Sequence, residues 1–383
     1  MSTALEGVKN AYSLAGVDVN IEAKASRILY EASRQTFKNR KGLIGEIDVP
    51  FDDFAGLKDI DVSGLPPGSR MSMNFDGAGS KVEPIQRWGC YKTVGFDLLA
   101  MLCDDAVVRN AEPVLVGSVL DITSLGTDER FLPFIRDIAA GYVAAAEAAG
   151  VAIINGEIAQ MGALVSGYGT FPFNWSGACV WFGKKNRLLC GTEPKVGDAI
   201  VMLRQKKGFR ANGLSLTRRT FENEYGPRWH EAPFEHTTLG EEVSAPSTIY
   251  SRLMVHLGGG FDGEPLCRLH GVVHITGGGI REKMSRFLRP SGLGVKFSNL
   301  YEPSSVMAHC QRLTKLSDGE AYKIYCMGQG MAVVTPDPDT VIAAAPQFGI
   351  EAQYAGSITK EPGILIRSMG AEQPEEFLPR FFD

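Results

Sequence analysis

The apolar positions of the chain fall into two alternating rhythms. Between residues 21 and 37, Ala25, Ile28, Leu29 and Ala32 recur at intervals of three and four, the spacing of one helix face. The stretch 94–110 carries Leu98, Leu99, Leu102 and Cys103 and reads as a helix too apolar to be left in water. An alanine-rich run over 131–149 reads as a third helix, stopped by Gly150 as a C-cap. Between these helices, 70–75, 113–121, 151–154 and 176–182 read as strands. The alternation resumes with a strand at 198–203 and a helix from Leu214. A helix opening at 246–250, a strand at 272–275, a helix after Gly279, a strand at 332–335 and a last helix–strand pair within 340–356 follow. Residues 222–246 read as a surface excursion, with His230 and His236 solvated. The pattern predicts an α/β (α+β) chain in two domains, 1–190 and 191–383, divided at the polar, turn-rich segment 191–197.

Composition narrows the class. With 383 residues, 44% of them apolar, the chain can bury a core in each half. The net charge of −5 leaves no basic surplus for nucleic acid. Seven cysteines without a CxxC pair read as free thiols in a reducing compartment. The first residues lack the basic and apolar regions of a signal peptide, and no apolar run reaches the ~18 residues of a membrane span. The expectation is a soluble cytoplasmic protein with neither nucleic acid nor membrane as partner.

The chemistry-bearing residues cluster at the ends of these elements. Asp76-Gly77-Ala78-Gly79-Ser80-Lys81 follows the strand at 70–75. A carboxylate suits a divalent cation, glycines bare their amides to an anion, and a lysine suits phosphate. Asp-Gly is also an ordinary hairpin turn. Asp97, Asp104 and Asp105 share the apolar helix at 94–110, and Asn155-Gly156-Glu157 follows the strand at 151–154. Asp97 and Asp104 lie near one face, with Asp105 turned about 80° from Asp97, and they stand roughly 10 Å apart along the helix axis, so they require two ions or bridging water. The basic segment around Gly42 and Gly45 reads either as a plain loop or as a flap over phosphates. Gly208, Arg210, Asn212 and Gly213 lie between a strand and a helix, an anion-binding arrangement. His274 precedes Thr276-Gly277-Gly278-Gly279 and reads either as a core histidine or as a neighbour of bound ligand.

Taken together and in order, these stretches resemble the aminoimidazole ribonucleotide synthetase, or phosphoribosylformylglycinamidine cyclo-ligase, family. The resemblance runs from Tyr12 to about Gly356. It includes Asp76–Lys81, the Gly95 to Asp105 helix with Pro113 beyond, Asn155 to Met161, Ala211 to Leu216, Ala245–Tyr250, His274–Gly279 and Met327 to Met331. The chain departs from the family motifs at several points. Lys206 and Lys207 replace paired serines, Arg210 a histidine, Ala211 a serine, and Thr248 an arginine. Asp104 replaces an asparagine and Asn155 a glycine.

The resemblance implies ATP and Mg2+ as cofactors, with K+ as a further candidate, and formylglycinamidine ribonucleotide as the small-molecule substrate. It implies a homodimer whose N-terminal sheets close a barrel, with a C-terminal α/β domain outside. Asp76, Asp97, Asp105 and Glu157 would hold magnesium, with Asp104 as a fifth candidate. Lys81, with the glycines of 76–81, would contact the triphosphate. His274 would sit near the reacting centre, and the 205–213 loop would bind the ribose phosphate, with Arg210 replacing the family's charge. Two alternatives remain: a relative that activates another amide or acid, and a non-catalytic dimeric scaffold. The retained acidic set argues against the scaffold.

Overall fold

The computed structural model describes residues 18–49, 56 and 58–382. The Tyr12 end of the first family motif lies outside them. Helix α1 (Val19–Thr36) is capped by Asp18, whose carboxylate accepts from the Asn20 and Ile21 amides. Strand β1 (Ser69–Gly77) leads through a short turn into α2 (Val82–Trp88) and α3 (Val94–Val107). Strand β2 (Glu112–Ile122), helix α4 (Leu132–Ala149), strand β3 (Ala152–Gln160) and strand β4 (Phe173–Lys184) complete the first half. Gly150 ends α4 in the left-handed region, φ 75°, where glycine avoids the Cβ clash.

The four strands lie in the order β1-β4-β2-β3, with β2 and β3 parallel and the other pairs antiparallel. Helices α1, α3 and α4 cover one face and bury Leu98, Leu99, Leu102, Val116, Leu120 and Trp175 with it. On the other face Met71, Met73, Phe75 and Val119 are exposed. Asn155, Gly156 and Glu157 stand in the middle of β3, not beyond its end. Their polar side chains disguise a strand that stays paired with β2 through Gln160.

The second half begins with β5 (Ala199–Arg204) and α5 (Leu214–Tyr225). A two-residue hairpin, β6 (Pro233–Phe234) and β7 (Thr237–Thr238), precedes α6 (Leu239–Ser244) and α7 (Ser251–Gly258). Then come β8 (Gly271–His274), α8 (Gly279–Leu288), β9 (Gly294–Phe297), α9 (Ser305–Thr314) and α10 (Asp318–Ile324). The chain closes with β10 (Gln329–Thr335), α11 (Pro338–Ala344), β11 (Ala352–Thr359) and β12 (Gly363–Ile366). The sheet runs β12-β9-β11-β5-β10-β8. It is buried on both faces: Ile200 and Met202 of β5 enter one core, Val201 and Leu203 the other. That is why its strands read as continuous apolar runs.

Two expectations change. The 222–246 segment is not a surface excursion, because Trp229, His230, Leu239 and Val243 are buried. His236 alone of the two histidines is exposed. Residues 245–250 form no helix, and α7 starts at Ser251. All seven cysteines are free. Among the described residues, no helix is long and apolar enough to cross a membrane.

Candidate functional site

The two halves meet along α3 and the irregular segment 245–250. Asp97 is fully buried; its Oδ1 accepts from the Ser247 amide at 3.1 Å and hydroxyl at 2.6 Å. Asp104, two turns later and equally buried, accepts from the Tyr250 amide at 2.9 Å. Both carboxylates thus stitch the halves together. Asp105, turned away on the helix, keeps 42% of its side chain exposed. This split follows from the wheel: seven residues return nearly to the same face, and one more does not.

Lys81 points into the seam. Its Nζ donates to the Ala245 carbonyl at 2.7 Å and lies 3.4 Å from the Arg210 carbonyl. Asp97 stands 3.9 Å away, and both side chains are fully buried. Burial pushes the Lys81 ammonium down and the Asp97 carboxyl up, and the ion pair opposes both shifts. In this conformation Lys81 offers nothing to a phosphate.

Arg210 is likewise internal. Its guanidinium donates to the Thr248 carbonyl at 2.9 Å, Gln205 Oε1 at 3.2 Å and Asp104 Oδ2 at 3.3 Å, and touches His274 Nε2 at 2.7 Å. Burial works against its charge, but Tyr250 and Asp104 leave its pKa raised. His274 Nδ1 lies 2.7 Å from Asp105 Oδ1. Burial works against the Asp105 charge too, but that bond and the nearby Lys283 and Arg210 charges hold its carboxyl below the usual range. Lys206 and Lys207 point to solvent and pair with Glu351 and Glu242. The expected substrate contact at Arg210 is therefore an internal clamp, and the two lysines are surface charges.

A cleft of about 460 Å³ opens where Asp105 and His274 face α8. Lys283, Arg109, Trp181 and Phe287 also line it. Asp76 borders this charge cluster. Burial raises its carboxyl and repulsion from Asp105 adds to that, while the Gly77 amide and the Lys283 ammonium pull the other way. Lys283 went unnoticed in the sequence. The signal available was its place one turn after Gly279, at the start of the helix that follows the triple glycine.

Glu157 is not with this group. Across the sheet, Asp76 pairs with Gly177, Gly177 with Ser118 and Ser118 with Gly156. Glu157 belongs to the next row, with Val119, Ser176 and Gly77. Neighbouring rows project to opposite faces. Glu157 therefore lies on the uncovered face, in a cavity of about 590 Å³ with Phe75, Val119 and Asn155, which Asp76 also lines from the neighbouring row. Among the described residues, no group of three or more carboxylate, histidine or cysteine side chains could hold a metal ion. The five expected ligands are thus divided among the seam, the cleft and the open face.

The glycine loops also separate. Gly208 is buried under Ala245, and its carbonyl accepts from Ser304. Gly213, φ 74°, precedes α5, and a Cβ there would stand 2.5 Å from the Tyr325 ring. Asn212 adjoins Gly277, and its Nδ2 is buried without a partner. Glu282 folds back over Gly278 at the start of α8. Gly42 and Gly45 lie elsewhere, in a loop anchored by Arg40, which pairs with Glu112 at 2.8 Å. Gly45 packs so closely on Val114 that a Cβ would overlap its Cγ1.

Comparison with known proteins places this architecture. The model of the AIR synthase related protein N-terminal domain matches residues 55–173, and that of the C-terminal domain matches residues 195–367. The chain belongs to the AIR synthase related family. A phosphoribosylformylglycinamidine cyclo-ligase of Methanococcoides burtonii is 31% identical over 364 residues, 94% of this chain and 97% of that protein. The fold is shared with a thiamine-monophosphate kinase of Stenotrophomonas maltophilia, at 14% identity and a TM-score of 0.58, covering 89% of this chain and 95% of that one. It is shared too with a hydrogenase maturation protein HypE in complex with ATP, at 13% identity and a TM-score of 0.55, covering 85% and 89%.

Proposed function

We propose that this family member is a phosphoribosylformylglycinamidine cyclo-ligase: it uses ATP to close formylglycinamidine ribonucleotide into aminoimidazole ribonucleotide. The observation that carries the reading is the full-length relationship to a cyclo-ligase, which spans both halves and the seam between them. In this reaction the substrate's amide oxygen takes the terminal phosphoryl group of ATP. The carbon that bears it becomes an electrophile, a nitrogen of the same molecule attacks it, and phosphate and ADP leave. No protein nucleophile is needed; positioning and charge compensation carry the rate.

The chain's residues divide that work. Lys283 supplies an ammonium in the cleft beside Asp76 and Asp105. Asp76 and Asp105 fit magnesium: they are oxygen donors, and their mutual repulsion is relieved by a cation. Magnesium takes one or two carboxylates and completes its shell with phosphates and water, so two such donors suffice. It would screen the charge of the triphosphate. Asp97 and Asp104 do not fit, because their oxygens face the seam. Asn212 Nδ2 and the amides at the start of α5 suit the ribose phosphate.

We also propose a homodimer. Its supports are the exposed Met71, Met73 and Phe75 on the bare face of the sheet and the unpaired edge of β1. The free thiols suit a cytoplasmic setting. A coupled assay for ADP release and imidazole formation tests the reading. Ribonucleotide-dependent formation of both products is expected, and ADP release without imidazole would favour a different amide or acid as substrate.

A further inference from the structure

Four side chains form a continuous polar line through the seam: Gln205, Arg210, His274 and Asp105. Arg210 is fully buried, and its backbone sits in the left-handed region, φ 54°, which is uncommon outside glycine. That turn carries the guanidinium inward. There Nη1 and Nη2 reach Gln205, the Thr248 carbonyl and Asp104, while Nε has no partner.

The contact with His274 has only one proton arrangement. A guanidinium donates and never accepts. Its Nη2 lies 2.7 Å from His274 Nε2, so Nε2 must present its lone pair. The ring proton then resides on Nδ1, which donates to Asp105 Oδ1 at 2.7 Å. A doubly protonated ring would press two cations together at that distance. Asp105 is the carboxylate that faces the cleft, with Lys283 and Asp76 beside it.

We propose that Arg210 is a positioning residue: it holds His274 as the Nδ1–H tautomer and, through that ring, aims the Asp105 carboxylate into the cleft. Asp104 is its charge partner, bonded on the other side to the Tyr250 amide. Arg210 and Asp104 both depart from the motifs that the sequence resembles, and their side chains bond to each other, so these two departures act as one unit. The kinetic consequence rests on the cyclo-ligase reading; the tautomer does not.

The experiment uses the full chain with 15N-labelled histidine. Long-range proton–nitrogen correlation spectra are recorded for the wild type, Arg210→Met and the double variant Asp104→Asn/Arg210→Met, with His274→Gln to assign the signals. Wild-type His274 should show a protonated Nδ1 and a bare Nε2. Any other wild-type form overturns the inference without need of a variant. Arg210→Met leaves the Asp104 charge buried alone and should lower the melting temperature. The double variant removes both charges and should recover most of that loss. It should nevertheless show His274 exchanging between tautomers, with kcat at least tenfold lower and KM for ATP within twofold of wild type. If Arg210 served only packing, the refolded double variant would keep the Nδ1–H form and the wild-type kcat, and the inference would fall. If the wild type closes no imidazole ring, the function proposed above fails, while the spectra still decide the role of Arg210.

Discussion

Lys81 and Asp97 bury opposite charges 3.9 Å apart at the seam between the two halves. Removing one member of such a pair strands the other. Asp97→Asn should therefore destabilise the fold by about 3 kcal/mol. Denaturant unfolding at neutral pH checks this, and an unchanged midpoint would show that the pair is dispensable.

Asp76 should behave in the opposite way. It lies within electrostatic reach of Asp105 and Lys283, at the edge of their charge cluster. Asp76→Asn should lower ATP-dependent turnover by about two decades, about 2.7 kcal/mol of barrier, and leave the unfolding midpoint unchanged. Turnover measured across a magnesium titration checks it. Near-normal activity would remove Asp76 from the metal set.

The contrast shows how much of the site could be read from the sequence. The helix at 94–110 and its spacing placed Asp97 and Asp104 on one side and Asp105 on another, because the period is local. The direction of Lys81 was not local: its partner, the Ala245 carbonyl, is 164 residues away. Arg210 likewise meets Asp104 across 106 residues, so a loop that read as an anion site turned its charge inward. Glu157 was misplaced for another reason. Asn155-Gly156-Glu157 resembles a strand end, yet pairing with β2 continues beneath it, and a difference of one row sends Glu157 to the other face. The fold was legible wherever period and cap agreed, as at α4 and Gly150.

Lys206 and Lys207 are 67% and 65% exposed in their ion pairs. Replacing either with alanine should change stability by less than about 1 kcal/mol and leave KM for the ribonucleotide unaltered. Steady-state kinetics at varied ribonucleotide check this. A tenfold rise in KM would return these lysines to the substrate.

The bare face of the first sheet predicts assembly. Phe75 is 73% exposed beside Met71 and Met73. The wild type should sediment as a dimer at micromolar concentration, and Phe75→Asp should shift it towards the monomer mass. A monomeric, active wild type would contradict the homodimer.

Asp318 predicts an acid-labile anchor for the C-terminal segment. Its carboxylate accepts from Ser368, Gln311 and the amides of Glu372 and Gln373. Burial alone would raise its pKa, but these bonds hold it below the ordinary 3.8. A folded-state value below the unfolded one stabilises above the unfolded pKa and is lost as pH falls through the folded value. Asp318→Asn should therefore cost about 2 kcal/mol at pH 7. The difference should begin to shrink as pH falls below 3.8. Denaturant midpoints across that range check it, and a gap that widens with acid would reverse the sign.

The most direct measurement is single-turnover chemistry on the purified full chain with magnesium, ATP and formylglycinamidine ribonucleotide. One ADP, one phosphate and one aminoimidazole ribonucleotide should form together, and none of the three should form above background when the ribonucleotide is withheld. ATP hydrolysis that proceeds without imidazole formation, or no turnover by a folded protein, would contradict the cyclo-ligase account.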